Sequence, residues 1–316
     1  MWRFVIAGAA VPVALFMSSA SAAVTFNWAA VGDSGNAADT TGFGSVAHDY
    51  SISKTEVTNG QYTEFLNAVA STDTYGLYDS RMNSDGSGGI TQSGSSGSYT
   101  YAVKSGRGNM PVNFVSWKDA ARFVNWLSNG QGSGGTETGT YNMSDSTITR
   151  AGNASYVLPT EDEWYKAAYY DQTLNSGAGG YYDYATRNDT APSYGYPPGG
   201  SNSANYKSGD GWKYPGDTTT DVGAYTGSTS YYGTFDQSGN VWEWNETEVT
   251  AGKRGMRGGQ WASGSSDLNA NTRNSNSLND SYSSAGFRVA AVPEPTSGVV
   301  LLTLGGLALL RRRRSA

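Results

Sequence analysis

Apolar residues gather along the chain in three short stripes. Each is preceded by a hydroxyl residue with a hydrogen-bonding side chain three positions later. In TNGQYTEFLNAVA, Thr58 and Gln61 have capping-box spacing, and Tyr62, Phe65, Leu66 and Val69 fall on one helical face. In SWKDAARFVNWLSNG, Ser116 and Asp119 occupy the N-cap and N3 positions ahead of Trp117, Ala120, Ala121, Val124 and Leu127, and Gly130 supplies the stop. PTEDEWYKAAYY repeats the arrangement, with Thr160 and Glu163 before Trp164, Ala167 and Ala168. The pattern predicts three short amphipathic helices.

Between and around them, short runs predict strands at residues 24–28, 50–56, 111–115, 241–244 and 286–291. The rest is polar and rich in glycine, so residues 84–98, 130–139 and 175–203 are expected to be loops. No repeat of fixed period is present.

Composition sharpens this picture. Charged residues make up only 15% of the chain, yet aromatics reach 13%, with 22 Tyr and 9 Trp. A disordered chain of that polarity is poor in large rings, so a folded, loop-rich domain is expected. Cysteine is absent, which removes both disulfides and thiol chemistry. His48 is the single histidine. One imidazole cannot build the clusters that zinc or non-haem iron usually require, and His48 reads as a structural or surface residue. Long loops without disulfides leave metal ions or buried polar networks as their ties.

Both ends read as addresses. Residues 1–22 combine Arg3, an apolar run and the small pattern Ala20-Ser21-Ala22, a secretory signal with cleavage expected after Ala22. At the other end, Pro293-Glu294-Pro295 precedes an apolar run from Gly298 to Leu310 and then Arg311, Arg312, Arg313 and Arg314. As a helix that run spans roughly 20 Å against about 30 Å of hydrocarbon, so it crosses only by drawing in neighbours. The arginines would stay on the cytoplasmic side. The order of these parts resembles the PEP-CTERM sorting tail of Gram-negative bacteria. The resemblance implies transient inner-membrane anchoring, cutting by an exosortase near Pro293-Glu294-Pro295, and delivery to the cell envelope or extracellular matrix. Processing removes five of the 21 basic residues and leaves 27 acidic ones, a net charge of about −11. That disfavours nucleic acid and anionic membrane surfaces and suits divalent cations.

Six segments of the mature chain, residues 23–291, resemble in order the formylglycine-generating, sulfatase-modifying factor family: YSISKTEVTNGQYTEFLNA, MPVNFVSWKDAARFVNWLS, YVLPTEDEWYKAA, GNVWEW, RGGQW and GFRVA. The resemblance implies a C-type-lectin-like α+β fold of short helices and many loops. It also implies a structural calcium ion, held by the Asp236 side chain, the backbone carbonyls of Gly239 and Val241, and Glu243. Asp236 and Glu243 bracket a Ser-Gly-Asn turn, a source of the hard oxygen ligands that calcium prefers. The competing use of Glu243 is a buried hydrogen-bond network, with Trp242 and Trp244 in the core. A second family calcium site, near Asn205 and Tyr206, aligns poorly.

The family's oxidases hold copper on two cysteines downstream of the Gly-Gly turn. Those positions fall here on Ser263 and near Leu268. A serine hydroxyl is neither a soft copper ligand nor a redox centre, so no copper is expected. A related branch holds iron on three histidines, which one histidine rules out. No acidic pair stands in a recognisable hydrolase motif.

The expectation is therefore a non-catalytic protein that binds a polysaccharide or peptide, with Trp261, Ser263 and Arg273 as its candidate surface, or else a matrix component. Arg273 is alternatively a loop-closing partner of Asp267 or Asp280. An enzyme of another reaction on the same scaffold remains the rival reading.

Overall fold

A computed structural model describes residues 23–207 and 218–292. The signal segment and the sorting residues Pro293 to Arg314 lie outside the described residues.

In chain order the elements are β1 (Trp28–Val31), β2 (Tyr50–Ser53), α1 (Asn59–Val69), the single turn α2 (Arg81–Ser84), β3 (Ile90–Ser93), β4 (Thr100–Val103), α3 (Trp117–Ser128), β5 (Tyr156–Val157) and α4 (Glu161–Tyr169). There follow β6 (Tyr170–Asp171), the turn α5 (Leu174–Gly177), β7 (Gly180–Tyr181), β8 (Ser193–Tyr194), β9 (Ser203–Ala204), β10 (Trp242–Thr250), β11 (Lys253–Arg257), β12 (Asn274–Ser277), β13 (Ala285–Phe287) and β14 (Ala290–Ala291).

The three amphipathic helices form where their caps predict. Thr58, Ser116 and Thr160 each accept the N3 amide, and Gln61, Asp119 and Glu163 each accept the N-cap amide in return. Their stripes are buried, except that Val69 at the end of α1 is only partly covered. The main core joins α1 to α3 and β10 through aromatic rings. Phe65 and Phe123 meet edge to face at 5.4 Å, Phe123 meets Phe287 at 5.4 Å, and Trp244 is fully enclosed.

Two four-stranded sheets frame this core. One has the order β1-β2-β14-β5, so the last described strand lies between two early ones and runs antiparallel to both. The other has the order β12-β11-β10-β13, with β10 parallel to β13.

The expected strand at 24–28 is displaced, because β1 begins at Trp28. Residues 111–115 contribute only an isolated bridge from Pro111 to Thr58. The expected loop at 84–98 contains β3, which pairs with β4 in a hairpin.

Candidate functional site

The centre of the candidate metal site is the turn that leads into β10. Asp236, Gly239 and Asn240 all adopt positive φ there, a conformation that Gly, Asn and Asp tolerate best. Beyond the turn Glu243 is fully buried, and so is Arg288 from the segment between β13 and β14. Arg288 grips Glu243 with both arms: Nε donates to Oε2 at 2.5 Å and Nη2 to Oε1 at 2.6 Å. Trp164 Nε1 donates to the same Oε2 at 2.7 Å. The remaining Arg288 donors reach the carbonyls of Ser53, Lys54 and Phe235. One guanidinium thereby ties both sheets to the metal-site turn.

Two further carboxylates crowd this ion pair. Asp236 Oδ2 accepts the Gly223 amide at 2.6 Å, and Glu56 Oε1 accepts Asn240 Nδ2 at 2.9 Å. Glu56 Oε2 is buried without a partner. Burial, then the Asp236 and Glu243 charges, push Glu56 well above the usual carboxylate range in spite of Arg288. Burial likewise raises Asp236 to about 6 against the opposing Gly223 amide and Arg288.

A 10 Å³ cavity borders Asp236, Ser238, Ser203 and Tyr225, about the room one water occupies. The unpartnered Glu56 oxygen and the Asp236 carboxylate are of the donor type a hard cation takes, while Arg288 already answers the charge of Glu243. Glu243 retains a lone pair on Oε1 beyond its bonds to Arg288 and Trp164. Among the described residues, no three His, Cys, Asp or Glu side chains converge as a metal-holding group. A cation here would therefore need the backbone oxygens of Gly239 and Val241 as well. Glu56 and Arg288 escaped the sequence reading. The available signals were a lone arginine inside the apolar run GFRVA and a glutamate beside the buried Val57.

The Gly-Gly turn follows β11. Gly258 and Gly259 sit at φ of 99° and 74°, and a Cβ on Gly259 would come within 2.7 Å of Leu268 Cδ1. Trp261 is half-buried, and its amide donates to the Asn240 carbonyl at 2.9 Å, so this turn leans on the metal-site turn. Ser263 is only 4% exposed, and its carbonyl accepts from the Lys207 amide. Leu268 is fully buried beside Tyr184 and Ala204.

Arg273 belongs to a different network. It donates to Glu161 Oε2 at 2.6 Å, while the fully buried Arg257 donates to Glu161 Oε1 at 2.7 Å. Both guanidinium groups lie over the Phe43 ring, at 5.3 and 4.5 Å. The expected pairing of Arg273 with Asp267 or Asp280 is thus corrected to Glu161. That carboxylate is already buried at the start of α4, where an unpaired charge is costly. His48, half-exposed, contacts Glu163 at 3.0 Å, and Arg150 grips both oxygens of the same carboxylate. It is a surface clasp, in keeping with its expected structural role.

Short helices, two four-stranded sheets with smaller two-stranded ones, and long loops fastened by buried ion pairs define an α+β domain of the sulfatase-modifying-factor type. The family model described as "Sulfatase-modifying factor enzyme 1-like domain" matches residues 32–292, and the chain belongs to that family. The PEP-CTERM protein-sorting motif matches residues 291–314. It marks an exported protein sorted by its C-terminal tail and implies processing by an exosortase.

Among solved structures, CarF aligns at 24% identity with a TM-score of 0.51, covering 78% of this chain and 87% of its own. Treponema denticola variable protein 1 aligns at 21% identity with a TM-score of 0.52, covering 85% of this chain and 96% of its own. Both likenesses concern the fold. No curated protein matches the chain in sequence. Among the described residues no helix is long and apolar enough to cross a membrane.

Proposed function

We propose that this exported domain is a non-catalytic binding protein of the cell envelope or extracellular matrix, with a glycan or peptide as its ligand. The observation that carries the proposal is the replacement of both family cysteine positions. Ser263 is buried in the turn and Leu268 fills the space beneath Gly259, so neither a thiolate nor an open copper pocket is available. The surrounding frame, from the Gly-Gly turn to Arg288, keeps its internal bonds. Such retention fits selection for a surface rather than for a redox centre.

In this reading Trp261 offers the exposed part of its ring to the ligand and Ser263 supports the turn. Arg273 holds the base of the loop through Glu161 rather than touching ligand. Calcium at Asp236, Gly239, Val241 and Glu243 would stiffen the turn on which Trp261 leans. The tail would anchor the protein at the inner membrane until an exosortase releases it.

The test is to incubate the full-length chain with copper, oxygen and a cysteine-containing sulfatase peptide. No aldehyde should form, and an aldehyde product would overturn the proposal. A glycan and peptide array, run with and without a chelator, should show retention of at least one ligand. No retention in either condition would favour a purely structural role in the matrix.

A further inference from the structure

A second cleft, of about 430 Å³, opens at the start of α3, between the loop at Tyr75 and the segment around Asn279. It shares no residue with the Trp261 turn. Its volume lies in the range of small-molecule sites, roughly 300–1,000 Å³. Three observations bear on its occupant.

The first is a carboxylate. Asp119 is only 8% exposed, and its Oδ2 is taken by the Ser116 amide and hydroxyl at 2.9 and 2.7 Å. Its other oxygen, Oδ1, has no partner among the described residues, although the side chain lines the cleft. That oxygen is open to the cleft and, held in place by the helix cap, is positioned to accept from a ligand hydroxyl.

The second is an aromatic platform. Tyr75 is 49% exposed, and one face of its ring is backed at 4.8 Å by the Arg122 guanidinium. Arg122 is itself fixed by Glu137 at 2.7 Å. The ring is therefore held in place while its other face stays open, which lowers the ordering cost of a ligand stacking there.

The third is the balance of charge. Asp79 is already paired with Arg81, and Arg122 with Glu137. Lys118, Asp119 and Asn279 remain to line the cleft, supplying one cation, one anion and one amide. A cationic ligand meets Lys118, an anionic one meets Asp119, and a lipid finds little apolar wall. A neutral molecule with many hydroxyl groups and an apolar C–H face meets all of these groups favourably.

We propose that the cleft lined by Tyr75, Asp119, Lys118 and Asn279 is a binding site for a neutral carbohydrate. A sugar ring stacks on the open face of Tyr75, and adjacent hydroxyls donate to Asp119 Oδ1 and accept from Lys118. The proposal deepens the ligand-binding function above and rests on it, while naming a different surface.

The test is calorimetric titration of the full-length chain with malto-, cello-, manno- and xylo-oligosaccharides, using oligoalginate and oligolysine as charged comparators. At least one neutral oligosaccharide should bind more tightly than either comparator. Tyr75→Ala should weaken that binding about tenfold or more without changing the melting temperature, since the ring is at the surface. Asp119→Asn keeps an oxygen for the Ser116 cap and should also weaken binding.

Binding unaffected by Tyr75→Ala, or a preference for a charged oligomer, overturns the cleft assignment, and so does the absence of any neutral-sugar binding. Sugar binding that is lost in Trp261→Ala and intact in Tyr75→Ala would leave the ligand-binding function standing while refuting this site.

Discussion

Arg288 and Glu243 show how a single residue sets the stability of this fold. Both are fully enclosed, so their attraction is weighed against a large desolvation cost, and the pair holds only because every Arg288 donor is used. Truncating the guanidinium would leave Glu56, Asp236 and Glu243 facing one another. Arg288→Met should therefore cost about 3–5 kcal/mol in urea unfolding, far more than its lost contact area. A loss under 1 kcal/mol would mean that the three carboxylates already bind enough protons to do without the arginine.

Glu163 gives a pH signature at the same scale. Burial alone would raise its carboxyl, but the His48 hydrogen bond, the Arg150 ion pair and the Thr160 amide outweigh burial and lower it to about 2 from an ordinary value of 4.5. A depressed folded value contributes stability that is present above pH 4.5 and is lost as pH falls through about 2. The contribution at neutral pH is roughly 3 kcal/mol. The stability gap between the wild type and Glu163→Gln should shrink over that acid window. A gap that stayed constant from neutral pH down to 2 would contradict the assignment.

At the scale of elements, the capping boxes explain why three helices of only nine to twelve residues stand in a chain rich in short strands and long loops. Helices this short are marginal alone, and each relies on its cap and one buried stripe. Thr58→Ala should lower stability by about 1 kcal/mol, read from the denaturation midpoint, and Thr58→Gly by less.

These helices were legible because a cap and a 3.6-residue stripe are local signals. The strand β12 was not. Its sequence, Asn-Ser-Asn-Ser, has no alternation of apolar and polar residues, and it exists only because β11 offers an edge to pair with. The β3–β4 hairpin was hidden because each of its strands has only four residues, too few for a clear alternation. The candidate site was legible in part. Asp236 and Glu243 lie in one recognisable segment, whereas Arg288 is 45 residues from Glu243 and Arg257 is 96 residues from Glu161. Pairings at such separations are set by topology and leave no local trace.

At the scale of the whole molecule, the chain has no disulfide, and its long loops converge on buried charge. The proposed calcium would tie the β10 turn to Glu56 and Arg288, and hence to both sheets. A chelator should lower the melting temperature by a few degrees and added calcium should restore it, since a ligand at a hundred times its Kd contributes about 2.7 kcal/mol. Asp236→Asn should blunt that response. A melting temperature indifferent to chelator and calcium alike would remove calcium from the proposed function and leave the ion-pair network as the tie.

The position of β14 bears on when this protein can fold. Among the described residues Tyr156 and Val157 find their strand partner only in Ala290 and Ala291, and β2 gains its second neighbour from the same two residues. Synthesis reaches these residues after all the other described strands, at the point where the sorting motif begins. During export the first sheet is therefore a gap waiting for its middle strand. A chain stopped at Val289 should stay protease-sensitive, whereas one stopped at Pro293 should resist digestion. The two outcomes differ by four residues and would show directly whether the domain closes before the sorting machinery meets its tail.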